Sequence, residues 1–168
     1  NKLSGGMKRR LGIAQALIGD PKILIIDEPT TGLDPAERLK FRNLMSKMSL
    51  KDIIIILSTH IVGDISSSCN RMAILNNGML AYEGSPDDLI RKTRGHVWTI
   101  HAKDAELSVL KDKFSVVSSA PTTDGYEVQV VGDDISGFDG SSVEPNIEHA
   151  YVYFLEHSAE NSMHEMVA

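Results

Sequence analysis

The first apolar pattern along the chain is helical. Met7, Leu11, Ala14 and Ile18 recur at i, i+4, i+7 and i+11, and this spacing predicts that they share one buried helix face. Ser4-Gly5-Gly6 precedes the helix and Gly19-Asp20-Pro21 stops it. Ile23-Leu24-Ile25-Ile26 then forms an unbroken apolar run, the pattern of a strand buried on both faces of a parallel sheet. It leads directly into Asp27-Glu28-Pro29. Asp34-Pro35-Ala36-Glu37 opens a second helix, with Asp34 as cap, Pro35 as first residue and Glu37 at the capping-box position. Phe41, Leu44, Met45 and Met48 mark its buried face. The strand pattern returns at Ile53-Ile54-Ile55-Ile56-Leu57 and ends in Ser58-Thr59-His60. A weaker helix is expected to follow, through Ile65 and three serines at 66, 67 and 68 that disfavour it.

Beyond this point the elements shorten. Two strands, Arg71 to Leu75 and Met79 to Glu83, flank Asn76-Asn77-Gly78, whose Asn-Gly pair suits a tight hairpin. Ser85-Pro86-Asp87-Asp88 caps a short helix ending near Arg94. From Gly95 the character changes: Val97 to His101 reads as a strand, and Leu107, Leu110 and Phe114 read as a helix face. Tyr126, Val128 and Val130 alternate as in a half-exposed strand, and Gly132 to Ser142 reads as a loop. Ile147, Ala150, Tyr151, Phe154 and Leu155 outline a last amphipathic helix, expected to fray after His157. The expected organisation is an alternating α/β piece over residues 1–94 and a small α+β appendix over 95–168.

Composition narrows the classes. Apolar residues are 42% and charged residues 24% of 168, the balance of a soluble globular protein. Seventeen Lys+Arg against 23 Asp+Glu leave a net charge of −6, which argues against a nucleic-acid partner. No apolar run approaches the roughly 18 residues needed to span a bilayer. The single cysteine, Cys69, cannot form an internal disulfide and reads as an ordinary small residue on a helix. Trp98 reads as core of the appendix, and the histidines at 96, 101, 149, 157 and 164 lack ligand spacing.

Three places could carry chemistry. Glycines at the helix start after Ser4 let backbone N–H groups approach an anion, although taken alone they are better explained by a plain capped helix with a solvated basic turn. Lys8, Arg9 and Arg10 in the first turn oppose the helix dipole, a conflict that a docked anion would relieve. Asp27 and Glu28 leave a buried strand at its carboxyl end, where α/β sheets bind ligands. Two carboxylates there suit Mg²⁺ and a polarised water, or form merely an acidic turn. His60, also at a strand end, can hydrogen-bond a phosphate or simply cap its strand.

The order of these segments is more specific than any one of them. Leu-Ser-Gly-Gly, Ile-Leu-Ile-Ile-Asp-Glu-Pro, Gly-Leu-Asp-Pro and Ser-Thr-His, in sequence over residues 1–94, resemble the ATP-binding cassette (ABC) ATPases. The resemblance implies a partial P-loop NTPase fold, with a mainly parallel sheet and flanking helices. It implies that Ser4, Gly5 and Gly6 form the signature that closes over the γ-phosphate of an ATP held by the opposite cassette. Asp27 would then end the Walker B strand and hold Mg²⁺ through water, and Glu28 would polarise the attacking water. Asp34 would be the D-loop aspartate communicating across the dimer, and His60 the switch histidine on the γ-phosphate.

Met7 stands where the signature more often has Gln, which removes a polar group but no backbone donor. No G-x-x-x-x-G-K-[ST] occurs, since Gly132 and Gly137 are followed by Phe138. The phosphate loop, its lysine and the Q-loop are therefore expected upstream of Asn1, and the fragment is expected to be inactive alone. Val143-Glu144-Pro145-Asn146-Ile147-Glu148-His149-Ala150-Tyr151 resembles the C-terminal segment of bacterial multidrug, antibiotic-resistance and sodium exporter ATPases. The function implied is an MgATP-hydrolysing transport subunit, at the cytoplasmic face of the membrane. Its partners would be a second cassette and transmembrane permease subunits. A soluble ABC ATPase of DNA repair or translation, and a non-catalytic dimerisation fragment, are the rival readings.

Overall fold

The computed structural model describes residues 3–65 and 69–167, with side chains described as far as His157. The chain divides into two compact units, 1–69 and 70–168. The first is a βαβ unit carrying an extra helix. Helix α1 (Gly5–Ala16) starts at the Ser4 cap, whose hydroxyl accepts from the Met7 N–H at 3.2 Å. Strand β1 (Ile23–Ile26) pairs in parallel with β2 (Ile54–Leu57), and α2 (Pro35–Met48) is the crossover between them. Asp34 caps α2 through the Glu37 N–H at 2.8 Å, as its spacing with Pro35 and Glu37 requires.

The packing of this unit differs from the expectation in two respects. Ile13, Leu24, Phe41, Met45 and Met48 form the core, with Leu17, Ile26, Ile53 and Ile55 against it. Helix α1 thus packs through Ile13 and Leu17, while Met7, Leu11 and Ile18 lie exposed. The apolar period is helical as expected, but the buried stripe is the other one, because periodicity does not say which of two candidate stripes meets a neighbour. The strands are also covered on one face only: Ile23, Ile25, Ile54 and Ile56 are all more than half exposed. Among the described residues after His60, where a weaker helix is expected, the chain forms a 3-10 turn, Val62–Asp64. The serines at 66, 67 and 68 lie outside the described residues. Cys69 is not in a helix, and burial pushes its thiol pKa up.

The second unit opens with a hairpin. Strands β3 (Met72–Asn76) and β4 (Met79–Gly84) pair antiparallel around Asn77 and Gly78, both at positive φ (49° and 78°) as a type I′ turn demands. Helix α3 (Pro86–Lys92) follows the Ser85 cap. The sheet that follows has the order β6-β7-β5-β8, all antiparallel, and comprises β5 (Val97–Ala102), β6 (Ser115–Thr122), β7 (Gly125–Val131) and β8 (Gly140–Ser142). Among the described residues the parallel pairing expected of the cassette is that of β1 with β2, and the antiparallel sheet here belongs to the α+β part. Neither β6, rich in Ser and ending Ala-Pro-Thr, nor β8 inside the expected loop carries an apolar alternation that announces a strand. Helix α4 (Asp104–Lys113) packs Leu110 and Leu107 onto Ile100, Ala102, Val128 and Val130, with Trp98 at the margin. Val128 and Val130 are fully buried on the inner face of β7, while Glu127 is exposed and Gln129 half-buried, the alternation expected of a half-exposed strand. At Gly125 (φ 147°) a Cβ would lie 2.3 Å from the Ala102 carbonyl oxygen, so this turn admits only glycine.

Helix α5 (Ile147–Val167) continues ten residues past the expected fraying point at His157. Ile147 and Ala150 are buried, and Phe154 meets the Tyr82 ring edge-on at 5.4 Å. Burial and the Asp133 carboxylate, which accepts from the Tyr153 hydroxyl at 2.9 Å, push the Tyr153 pKa up to about 12. His96 stacks on the Tyr153 ring, its Nδ1 2.8 Å from Asp133 Oδ1 but without hydrogen-bond geometry.

His149 is 2% exposed; its Nδ1 accepts from the Asn146 N–H at 3.1 Å, which assigns the ring proton to Nε2, 3.0 Å from Gln129 Oε1. Burial holds its pKa below the ordinary 6.5, against a smaller opposing pull from Glu148. The unfolded chain therefore takes up this proton more readily. The stabilisation from neutral His149 is complete above about pH 6.5 and declines as pH falls from there through the depressed folded value. Thermal melts followed through Trp98 should show a midpoint that falls between pH 7 and pH 5. His149→Gln should flatten that dependence, and an unchanged slope in the variant would assign it to other groups.

Candidate functional site

The carboxyl ends of β1 and β2 converge because the two strands run parallel in register, Ile26 opposite Leu57. Pairing continues one residue further, with the Ser58 N–H donating to the Ile26 carbonyl at 3.0 Å. Asp27 and Glu28 therefore leave β1 beside Ser58, Thr59 and His60 leaving β2. His60 Nδ1 lies 2.8 Å from Glu28 Oε2, and the Thr31 hydroxyl donates to the same oxygen at 2.9 Å. The His60 contact, and then Thr31, hold the Glu28 carboxyl below its usual pKa against some desolvation. Glu28 is thus an ionised acceptor at neutral pH, in contact with an imidazole that can donate. Its backbone is in the left-handed region, φ 45°, where a residue with a long side chain is strained.

Ser58 is the connection that sequence reasoning did not single out. Its hydroxyl donates to Asp27 Oδ1 at 2.5 Å and accepts from the Glu28 N–H at 3.0 Å. A second tie lies behind the site. The Thr30 hydroxyl, 1% exposed, donates to Asp64 Oδ2 at 2.6 Å, joining the loop after β1 to the 3-10 turn after β2. Asp64 is 6% exposed, and a buried carboxylate is tolerated where it is hydrogen-bonded.

The remaining expected residues lie elsewhere in the first unit. The Ser4 hydroxyl is taken up in capping α1, and Gly5 is open to solvent. Gly6 faces Leu33 and Glu37, where an added Cβ would sit 3.4 Å from Leu33 Cδ2. Arg10 adds an ion pair to Glu37 at 3.5 Å. The start of α1 thus sits against the start of α2, with Asp34 engaged as the cap of α2. The structure brings Asp27, Glu28 and His60 together and keeps Ser4, Gly5, Gly6 and Asp34 as a separate group of helix starts.

Among the described residues, no group of three or more His, Cys, Asp and Glu is spaced to hold a metal ion by itself. Mg²⁺ in phosphoryl-transfer sites takes one or two carboxylates and completes its shell with phosphates and water. Asp27 fits that demand, being exposed, with one carboxylate oxygen fixed by Ser58.

Comparison with known proteins points the same way. The ABC transporter family profile matches residues 1–31. An ABC transporter ATP-binding protein of Bacillus subtilis, YxlF, is 36% identical over 110 residues, 66% of this chain and 37% of that protein. The Nod factor export ATP-binding protein I of Rhizobium meliloti is 37% identical over 159 residues, 89% of this chain and 48% of that protein. The chain spans less than half the length of either relative. A solved ATP binding subunit of an ABC transporter superposes with a TM-score of 0.48 at 37% identity, covering 54% of this chain and 38% of that one. With its motifs in family order and these relatives over most of its length, the chain belongs to the ABC transporter ATP-binding proteins.

Proposed function

We propose that this chain is the later part of an ATP-hydrolysing subunit of an exporter, and that Asp27, Glu28 and His60 form its contribution to one ATP site. The Glu28–His60 contact at 2.8 Å beside Asp27 carries the reading. Phosphoryl transfer rests on positioning and electrostatic stabilisation, and this arrangement offers both. Glu28, held ionised, accepts a hydrogen bond from the attacking water and orients it. His60, on releasing Glu28, donates to the γ-phosphate oxygens as negative charge spreads over them. Asp27 would hold Mg²⁺ through water, and the ion when bound neutralises phosphate charge. Ser4, Gly5 and Gly6 would present the start of α1 to the γ-phosphate of a second ATP, held by a partner cassette. Asp34, at the neighbouring start of α2, would carry contact across that dimer.

Two observations support a larger parent molecule. The strand face of Ile23, Ile25, Ile54 and Ile56 is exposed, although its β-branched residues suit burial. The relatives are also more than twice as long as the matched stretch. We assign residues 1–94 to the cassette and 95–168 to an accessory domain. The boundary of compactness at 69/70 differs because α3 and Tyr82 of β4 pack with α5, and β3 pairs with β4. No helix among the described residues is long and apolar enough to cross a membrane. By likeness to the export ATP-binding proteins, we assign the transmembrane path to permease subunits and this chain to their cytoplasmic side. Export is favoured by the Nod factor export relatives.

The test is MgATP turnover by the full-length protein. His60→Ala should lower kcat roughly 10²-fold, the usual loss on removing one donor to developing transition-state charge. MgATP binding, measured by calorimetry, should persist. A wild-type rate would overturn the assignment of His60.

A further inference from the structure

Resting on that reading of the site, we infer that Ser58 is a positioning residue that aims both carboxylates. The argument is geometric. One hydroxyl serves two groups at once, donating to Asp27 Oδ1 at 2.5 Å and accepting from the Glu28 N–H at 3.0 Å. A hydroxyl has one proton and two lone pairs, so both bonds coexist without competition. No shorter or apolar side chain can do this.

The Glu28 bond has a specific consequence. Left-handed backbone at a non-glycine residue is strained and persists only where its surroundings enforce it. Glu28 has φ 45°, and its amide is held by Ser58 while its carboxylate is held by His60 and Thr31. During turnover His60 must leave Glu28 to reach phosphate; Thr31 still holds the carboxylate, and the amide bond to Ser58 is the side-chain contact that still holds the Glu28 backbone. Without it the residue can relax toward the right-handed or extended region, swinging the carboxylate off the water. The Asp27 bond works in parallel by fixing one carboxylate oxygen and leaving the other for the Mg²⁺ shell. Ser58 is itself fixed because its N–H continues the β1–β2 ladder to Ile26 at 3.0 Å. The strand register is thus transmitted to both acidic groups through one side chain.

Misplacing a reacting group by about 1 Å can cost on the order of 10²-fold in rate. In the full-length protein Ser58→Ala should lower kcat at least about 10-fold while KM for MgATP and its calorimetric affinity stay within about 3-fold. Ser58→Thr, which keeps the hydroxyl and suits a strand end, should recover most of the rate. Independently of turnover, hydrogen exchange of the peptide containing Glu28 should quicken in Ser58→Ala, with the β1 amides before it unchanged. Wild-type kcat in Ser58→Ala, or equal loss in the Thr and Ala variants, would overturn the positioning role. Glu28→Gln, measured alongside, separates the two failures. If it stops turnover while Ser58→Ala does not, only the role of Ser58 falls. If Glu28→Gln turns over normally, the reading of the site falls with it.

Discussion

Glu28→Gln in the full-length protein should reduce steady-state ATP hydrolysis by roughly 10²–10⁴-fold, the contribution of a positioned general base. The amide is nearly the same size, so Thr31 and His60 can still reach its oxygen, and the loop after β1 keeps its shape. What disappears is the negative charge and the second acceptor that orient water. Nucleotide affinity should survive, because the binding groups for phosphate lie outside this pair. The expected signature is a collapse of kcat with MgATP affinity changed by only a few-fold. A variant retaining more than about half of wild-type turnover would remove Glu28 from the reaction. The low Glu28 pKa also means that acidification should not protonate it until well below neutrality, so a neutral-range fall in activity would belong to another group.

The largest stability effect is expected in the second unit. Leu110 is 0% exposed and sits among Ile100, Ala102, Val128 and Val130. Leu110→Ala should cost about 2–5 kcal/mol, through lost transfer energy and the cavity left between helix and sheet. Its neighbour Val109 is 44% exposed on the same helix, so Val109→Ala should change stability by no more than about 0.5 kcal/mol. Trp98, the single tryptophan, borders this core and reports on its unfolding without signal from the first unit. Denaturant titrations followed at Trp98 would measure both variants. A Leu110→Ala loss below about 1 kcal/mol would mean that α4 is not held to the sheet by this contact.

Elements whose signals are local were readable in the chain. Ser4, Asp34 and Ser85 each accept from an N–H three residues on, and Asn77-Gly78 turns a hairpin within two residues. Such bonds depend on neighbours in sequence, so residue type and spacing suffice to find them. β6 escaped notice for the opposite reason. Its serines and Pro121 have low strand preference, and it exists as a strand because β7 pairs with it. The buried face of α1 was misjudged because Met7-Leu11-Ala14-Ile18 and Ile13-Leu17 both fit a helical period. Only contact with Leu24 and Phe41 selects the second.

The same division runs through the site. Sequence alone determined which chemical groups are present and in what order, since Asp27, Glu28 and His60 follow apolar runs and match a known series of motifs. Tertiary structure decided how they meet. Glu28 and His60 are 32 positions apart and touch only because β1 and β2 pair in parallel with Ile26 opposite Leu57. That register depends on burying Leu24, Ile26, Ile53 and Ile55 against two helices, a packing energy no local spacing reveals. Ser58 shows the difference most clearly. As a residue it is an ordinary serine two positions before a histidine. A shift of one position in strand pairing would turn its hydroxyl to the opposite face and leave Asp27 and the Glu28 amide without their shared partner.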